Sequence, residues 1–224
     1  MKKACFFDMD GTLIDSRRDL CATVNHTRRD LGIRELPEKE ILRNVGLGAK
    51  HLLVNSIPEK ADDPDGLWEI FRSHYGEHML DTVELYPTVR ETLLRLKDEG
   101  WMLGINTAKP AFATKAILGH FGMDGLFADA VVAGGDCDEM KPSAKPLLMC
   151  AAKMGLEGVS AGDWMIGDNW TDVECGRNAG VSTAYCDFGF GTLRSSVPRA
   201  RLARMSDIFA AIANGGGRQS PFMV

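Results

Sequence analysis

Short apolar segments recur along this chain, and each stops at a polar residue and hands over to an amphipathic helix. That alternation constrains the fold more than any other feature. Ala4-Cys5-Phe6-Phe7 comes first and ends at Asp8. A continuous apolar run closed by Asp and Gly suits a parallel strand covered on both faces. Residues 101–107, 128–133, 163–168 and 182–186 repeat the pattern, and residues 87–99, 110–120, 144–154, 170–179 and 206–213 read as helices. Pro87 stands at the start of the first of these helices and Gly100 just past its end, where each residue fits best. Such alternation predicts an α/β fold: a doubly wound, Rossmann-like parallel sheet.

One block breaks the alternation. Residues 16–82 contain four helical patterns, over 16–31, 37–45, 49–57 and 64–80, and no convincing strand. The expected organisation is therefore a core made of residues 1–15 and 83–213, with an all-helical insert over 16–82 and a flexible tail over 214–224. A chain of 224 residues can bury a sizeable core without disulfide or metal staples. Its six scattered cysteines contain no CxxC pair and read as free core thiols. The net charge of −5 argues against a nucleic-acid partner, which calls for a basic surface. It leaves room for a small anion, which needs only a local positive site. No apolar run approaches the roughly 18 residues of a membrane span, and Asp8 interrupts the N-terminal apolar run too early for a secretory signal. The expectation is a cytoplasmic protein with no membrane partner, either monomer or homodimer.

In open α/β sheets ligands sit outside the carboxyl ends of the strands. The residues expected there are Asp8, Thr107, Gly134-Gly135-Asp136 and Asp168. Asp8 and Asp10 are two residues apart, close enough to reach one ligand. Two such carboxylates suit a division between nucleophile and acid/base, because their environments can push their pKa values apart. Asp168 and Asp172 form a second pair, across a strand end and a helix start. Hard carboxylate oxygens arriving at one sheet edge describe a Mg²⁺ site whose shell is completed by water and a substrate phosphate. Three ionised carboxylates beside a phosphate dianion are not tenable in a partly dry cleft without cations. Mg²⁺ and Lys141 are the candidates. Thr107, at a strand end before a helix, can bind a phosphoryl oxygen.

Together, Asp8-x-Asp10-Gly11-Thr12, Thr107, Lys141-Pro142 and Gly167-Asp168-x-x-x-Asp172, in this order and spacing, resemble the motifs of the haloacid dehalogenase superfamily. Within it, Val45-Gly46-Leu47-Gly48, Gly134-Gly135-Asp136 and Phe188-Gly189-Phe190-Gly191 look most like the phosphoglycolate phosphatase-like branch with a small helical cap. The resemblance covers residues 4–213. It implies a Mg²⁺-dependent phosphatase of a small phosphate ester, with Asp8 as the nucleophile that becomes an aspartyl-phosphate. Asp10 would protonate the leaving oxygen and then activate water, and its backbone carbonyl would join Asp8, Asp168 and Asp172 around the metal. Thr107 would hold the phosphoryl group and Lys141 would neutralise charge. Thr12, Gly46, Ala108 and Lys109 would lie against the substrate. One departure is Ala108, where this branch often carries Asn. A halide leaving group needs no proton, so Asp10 favours phosphate-ester hydrolysis over dehalogenation. A mutase of the beta-phosphoglucomutase type uses the same intermediate and stays open, as does a non-catalytic phosphate-binding protein.

Two further patterns belong to none of this. His74-Tyr75-Gly76-Glu77-His78 fits the zinc-protease pattern HxxEH. However, Gly76 weakens the required helix by about 1 kcal/mol and no further acid stands out as a third ligand. The expected role is a solvated face of a cap helix. Gly46-Leu47-Gly48 follows a helical pattern rather than a strand, which excludes a dinucleotide fingerprint.

Overall fold

A computed structural model of the chain describes residues 3–127 and 129–214. The expected tail beyond Asn214 lies outside the described residues. The elements in chain order are β1 (Ala4–Phe7), β2 (Ile14–Asp15), α1 (Arg17–Asp30), α2 (Glu38–Leu42), α3 (Ala49–Ser56), α4 (Pro64–His78), β3 (Glu84–Leu85), α5 (Val89–Asp98), β4 (Met102–Pro110), α6 (Ala111–His120), α7 (Asp124–Phe127), β5 (Val131–Gly134), α8 (Lys145–Lys153), β6 (Trp164–Gly167), α9 (Trp170–Ala179), β7 (Ser182–Cys186), β8 (Ala200–Leu202) and α10 (Ile208–Ala213).

Six strands form one sheet in the order β5-β4-β1-β6-β7-β8, and every neighbouring pair is parallel. Side chains alternate across a strand, so each strand feeds two cores. Cys5, Phe7, Ile105 and Ile166 pack on one face, and Ala4, Phe6, Val132 and Met165 on the other. This is why the strands read as unbroken apolar runs. From β1 the chain builds outward through β4 and β5, then returns to build β6, β7 and β8 on the opposite side. The switch therefore lies at β1, and the crevice outside its carboxyl end is the default ligand site.

A third apolar cluster belongs to the helical segment, where Leu20, Val24, Ile41, Leu53, Phe71 and Tyr75 pack together. The segment leaves and rejoins the sheet side by side. Ile14 pairs with Leu85 and Asp15 with Glu84 in a two-residue antiparallel ladder, and the Asp19 carboxylate accepts the Thr82 backbone N–H.

Four local differences from the sequence expectations have physical reasons. β4 does not stop at Thr107 but runs on to Pro110, and its register against β5 shifts between Asn106 and Pro110. α5 begins at Val89, because Thr88 takes a left-handed turn with φ 67°. β8 is three residues with Arg201 in the middle, too short and polar to show as a strand pattern. α7 is a single turn containing Gly125. The six cysteines are free, and five of them are buried. Among the described residues no helix is long and apolar enough to cross a membrane.

Candidate active site

Asp8 follows β1 directly, and its backbone N–H donates to the Ile166 carbonyl at 3.0 Å. The same ladder that builds the sheet therefore fixes the first carboxylate beside the end of β6. Asp168 follows β6, and Asp172 lies in the first turn of α9. One oxygen of each of Asp8, Asp168 and Asp172 lies within 4.8 Å of the other two, and all three residues are buried. Asp172 has two tasks. Its Oδ2 accepts the Asn169 N–H at 3.0 Å, completing a capping box, while its Oδ1 accepts Lys141 Nζ at 2.6 Å. Lys141 also reaches Asp8 Oδ1, at 2.9 Å, and is itself 4% exposed.

The charges set one another's pKa values. Burial alone would lower the Lys141 pKa, but Asp172 and Asp8 outweigh it and hold the ammonium charged. Burial pushes Asp168 well above the usual carboxylate range, and Asp172 and Asp8 add to the shift. Burial also raises Asp172, against the pull of Lys141. A single ammonium among three buried carboxylates leaves the cluster short of positive charge. Its donors are hard oxygens, and the geometry suits a divalent cation.

Asp168 is positioned by a loop that sequence reasoning read only as a family mark. Its Oδ2 accepts the backbone N–H groups of Phe190 at 2.9 Å and Gly191 at 2.6 Å. The signal was there as Phe188-Gly189-Phe190-Gly191, but nothing in it named Asp168 as the target. The first motif closes on the same carboxylate. Gly11 has φ +80°, and a Cβ there would sit 1.9 Å from Asp168 Oδ2. That position admits no side chain.

Asp10 stands apart from the carboxylate trio. Its Oδ1 accepts Ser16 Oγ at 2.5 Å and Lys109 Nζ at 2.8 Å. Lys109 Nζ also donates to the Tyr75 hydroxyl. Burial opposes the Lys109 charge, but Asp10 and Tyr75 raise its pKa above the ordinary lysine value. Burial pushes the Tyr75 hydroxyl up to about 12. Lys109 therefore joins the sheet edge to α4. Ser16 and Tyr75 were not singled out from sequence. Ser16 stands at the start of the first helical pattern, and Tyr75 lies inside the HxxEH pattern.

A narrow cavity with about 50 Å³ of free volume opens over these groups. Asp8, Asp10, Thr107 and Asp168 form part of its floor, and Leu20, Val45, Leu52 and Phe71 of the helical segment form an apolar roof. Ala108, Lys109 and Gly46 also line it. Gly46 has φ +107°, and a Cβ there would meet Asn169 Nδ2 at 2.6 Å. Thr12, expected beside the substrate, is fully buried and does not line this cavity, and its hydroxyl has no hydrogen-bond partner among the described residues. The Thr107 hydroxyl accepts the Lys109 N–H at 3.2 Å.

Residues 5–186 match the model of the haloacid dehalogenase-like hydrolases. The chain belongs to that family. A phosphoglycolate phosphatase of Aquifex aeolicus is 32% identical over 212 residues, covering 95% of this chain and 97% of its own. A phosphoglycolate phosphatase of Chromobacterium violaceum is 31% identical over 219 residues, with the same coverage of 95% and 97%. Among solved structures, that of a predicted phosphoglycolate phosphatase from Haemophilus somnus superposes with a TM-score of 0.84 at 27% identity, covering 93% of this chain and 97% of that one. The six-stranded parallel sheet is thus a haloacid dehalogenase-type core, and the family match includes all the motif residues from Asp8 to Asp172.

Proposed function

We propose that this haloacid dehalogenase-like hydrolase is a Mg²⁺-dependent phosphatase of small phosphate monoesters, with phosphoglycolate the first substrate to try. The observation that carries this reading is the convergence of Asp8, Asp168, Asp172 and Lys141 at the carboxyl edge of the sheet, with Asp10 beside them. The names of the relatives point to the same reaction.

The chemistry assigned to the residues runs in two steps. An Asp8 carboxylate oxygen attacks phosphorus, and the ester P–O bond breaks. Asp10 gives its proton to the leaving oxygen. Asp10 then takes a proton from water, the water oxygen attacks the phosphorus of the aspartyl-phosphate, and phosphate leaves with the Asp8 carboxylate restored. Asp10 Oδ1 is already engaged by Ser16 and Lys109, so Oδ2 is the oxygen assigned to proton transfer. Lys141 balances the phosphoryl charge, and Thr107 holds a phosphoryl oxygen. A Mg²⁺ held by Asp8, Asp168, Asp172 and the Asp10 carbonyl would supply further charge stabilisation. Gly46, Ala108 and Lys109 are assigned to the substrate side through their place in the cavity wall, and Thr12 to the packing beneath it.

Residues 16–82 are assigned as a cap over a core of residues 1–15 and 83–213, hinged at the β2–β3 ladder. Closing a cap over the nucleophile excludes water and strengthens every charge interaction inside. The apolar roof of Leu20, Val45, Leu52 and Phe71 then sets the size of the leaving group. The test is phosphate release from phosphoglycolate and a panel of small phosphate esters. Release should require Mg²⁺, stop in excess chelator and return when the metal is restored. Full activity in chelator, or release from no ester in the panel, would refute the reading.

The metal assignment also predicts a sign. In metal-free buffer at neutral pH, Asp168→Asn should raise the melting temperature, because a buried carboxylate short of counter-charge becomes a neutral amide. The gain is of order 1 kcal/mol. Mg²⁺ should stabilise the wild type and leave the variant nearly unmoved. Equal Mg²⁺-induced shifts in thermal denaturation of both proteins would count against Asp168 as a ligand.

A further inference from the structure

The HxxEH pattern finds a partner in the fold that the sequence does not show. His74 and His78 are one turn apart on α4, so they share a face. His26 of α1 packs against that face. Its ring centroid is 5.4 Å from that of His74, with the planes at 71°. It is 5.3 Å from that of His78, with the planes at 87°. One ring nitrogen of each histidine lies within 4.8 Å of the other two, and all three residues are half-buried. We propose that His26, His74 and His78 form a second metal site, for a divalent transition ion such as Zn²⁺, separate from the carboxylate cluster.

The surroundings are those of a metal site. His74 Nε2 lies 2.8 Å from Asp30 Oδ2, and His78 Nδ1 lies 2.9 Å from Asp81 Oδ2. Imidazoles that bind metal usually donate their other N–H to such a carboxylate, which fixes the tautomer and orients the ring. With His74 Nε2–H and His78 Nδ1–H donated to the aspartates, Nδ1 of His74 and Nε2 of His78 are left with free lone pairs. Neither ring nitrogen of His26 has a hydrogen-bond partner among the described residues. Three neutral nitrogens suit Zn²⁺, Ni²⁺, Cu²⁺ or Co²⁺ and not Mg²⁺, which prefers oxygen. Zn–N bonds of about 2.0–2.1 Å in tetrahedral geometry put ligand nitrogens roughly 3.4 Å apart, which half-buried side chains can reach by small rotations. Half-burial also leaves a fourth position for water. Glu77 Oε2 is 4.0 Å from His78 Nε2 and is not needed as a ligand. The ion would clamp α1 to α4, the two helices that supply Leu20 and Phe71 to the cavity roof.

The test is equilibrium dialysis of the full chain against Zn²⁺, with millimolar Mg²⁺ present to occupy the carboxylates. The wild type should retain one Zn²⁺ per chain. His26→Gln and His78→Gln should each lose it, while Asp30→Asn should weaken binding about 10- to 100-fold. Phosphate release in Mg²⁺ alone should be unchanged in all three variants, and circular dichroism should show each of them folded. Co²⁺ bound to the wild type should give the visible absorption of a tetrahedral nitrogen site, and His26→Gln should lose that band. Equal Zn²⁺ retention by wild type and His26→Gln, or no retention by the wild type, would overturn the site.

Discussion

Asp8→Asn should fold normally and lose turnover by a factor of about 10⁴ or more. The amide keeps an oxygen for the Lys141 ammonium, which now lies 2.9 Å from Asp8 Oδ1, and Lys141 keeps Asp172 at 2.6 Å. One of three crowded negative charges disappears, so the melting temperature should hold or rise. What goes is the nucleophile. A carboxamide oxygen is a poor attacking group, and Asp10 does not replace Asp8, because it lies outside the cluster of Asp8, Asp168 and Asp172 and its free oxygen is assigned to proton transfer. Substrate binding should survive, so the loss should fall on kcat. Near-normal turnover by a folded Asp8→Asn would move the nucleophile elsewhere.

Lys141→Met should damage stability and catalysis together. The ammonium is 4% exposed and bridges two buried carboxylates. Breaking a buried pair by removing one partner typically costs about 3–5 kcal/mol, because the remaining charge has no counter-charge. For a chain of this size each kcal/mol lowers the melting temperature by roughly 2–4 °C, so the fall should be easy to read by calorimetry. Millimolar Mg²⁺ should recover part of it by supplying positive charge to Asp8 and Asp172. Turnover should fall about 10²- to 10³-fold, the scale for losing one electrostatic stabiliser. Lys141→Arg should rescue little, since a planar fork does not replace a compact ammonium between two oxygens. A melting temperature unchanged in Lys141→Met would mean that the ion pairs contribute nothing net.

The parts of the site legible from sequence were those that local rules place. Asp8 and Asp168 follow apolar runs that could only be covered strands, so their position at one sheet edge came with the fold. Asp172 followed from its place in a helix's first turn. Contacts made by side chains or backbone from distant segments were not legible. The Phe190 and Gly191 amides reach Asp168 across 22 and 23 residues, and no local pattern reports such a target. Lys109 read as a residue against the substrate, yet its ammonium sits on Asp10 and Tyr75, a pairing decided by the packing of α4 over the sheet edge. Thr12 shares the first motif with Asp8 but is fully buried, because the chain after Asp8 turns back on itself: the Thr12, Leu13 and Ile14 amides all donate to the Met9 carbonyl. His26 was invisible as a partner of His74 and His78 for the same reason. In the fold, the missed edge strand β8 owes its place to pairing with β7 and not to its own three residues.

The covalent step is the central claim, and chemical trapping tests it most directly. The wild type would be mixed with substrate and Mg²⁺, quenched in acid during turnover and reduced with borohydride, which converts an acyl phosphate to the alcohol. Peptide mass spectrometry should then find homoserine at position 8, and Asp8→Asn should yield none. Homoserine at another aspartate, or no reduced residue during rapid phosphate release, would contradict the account.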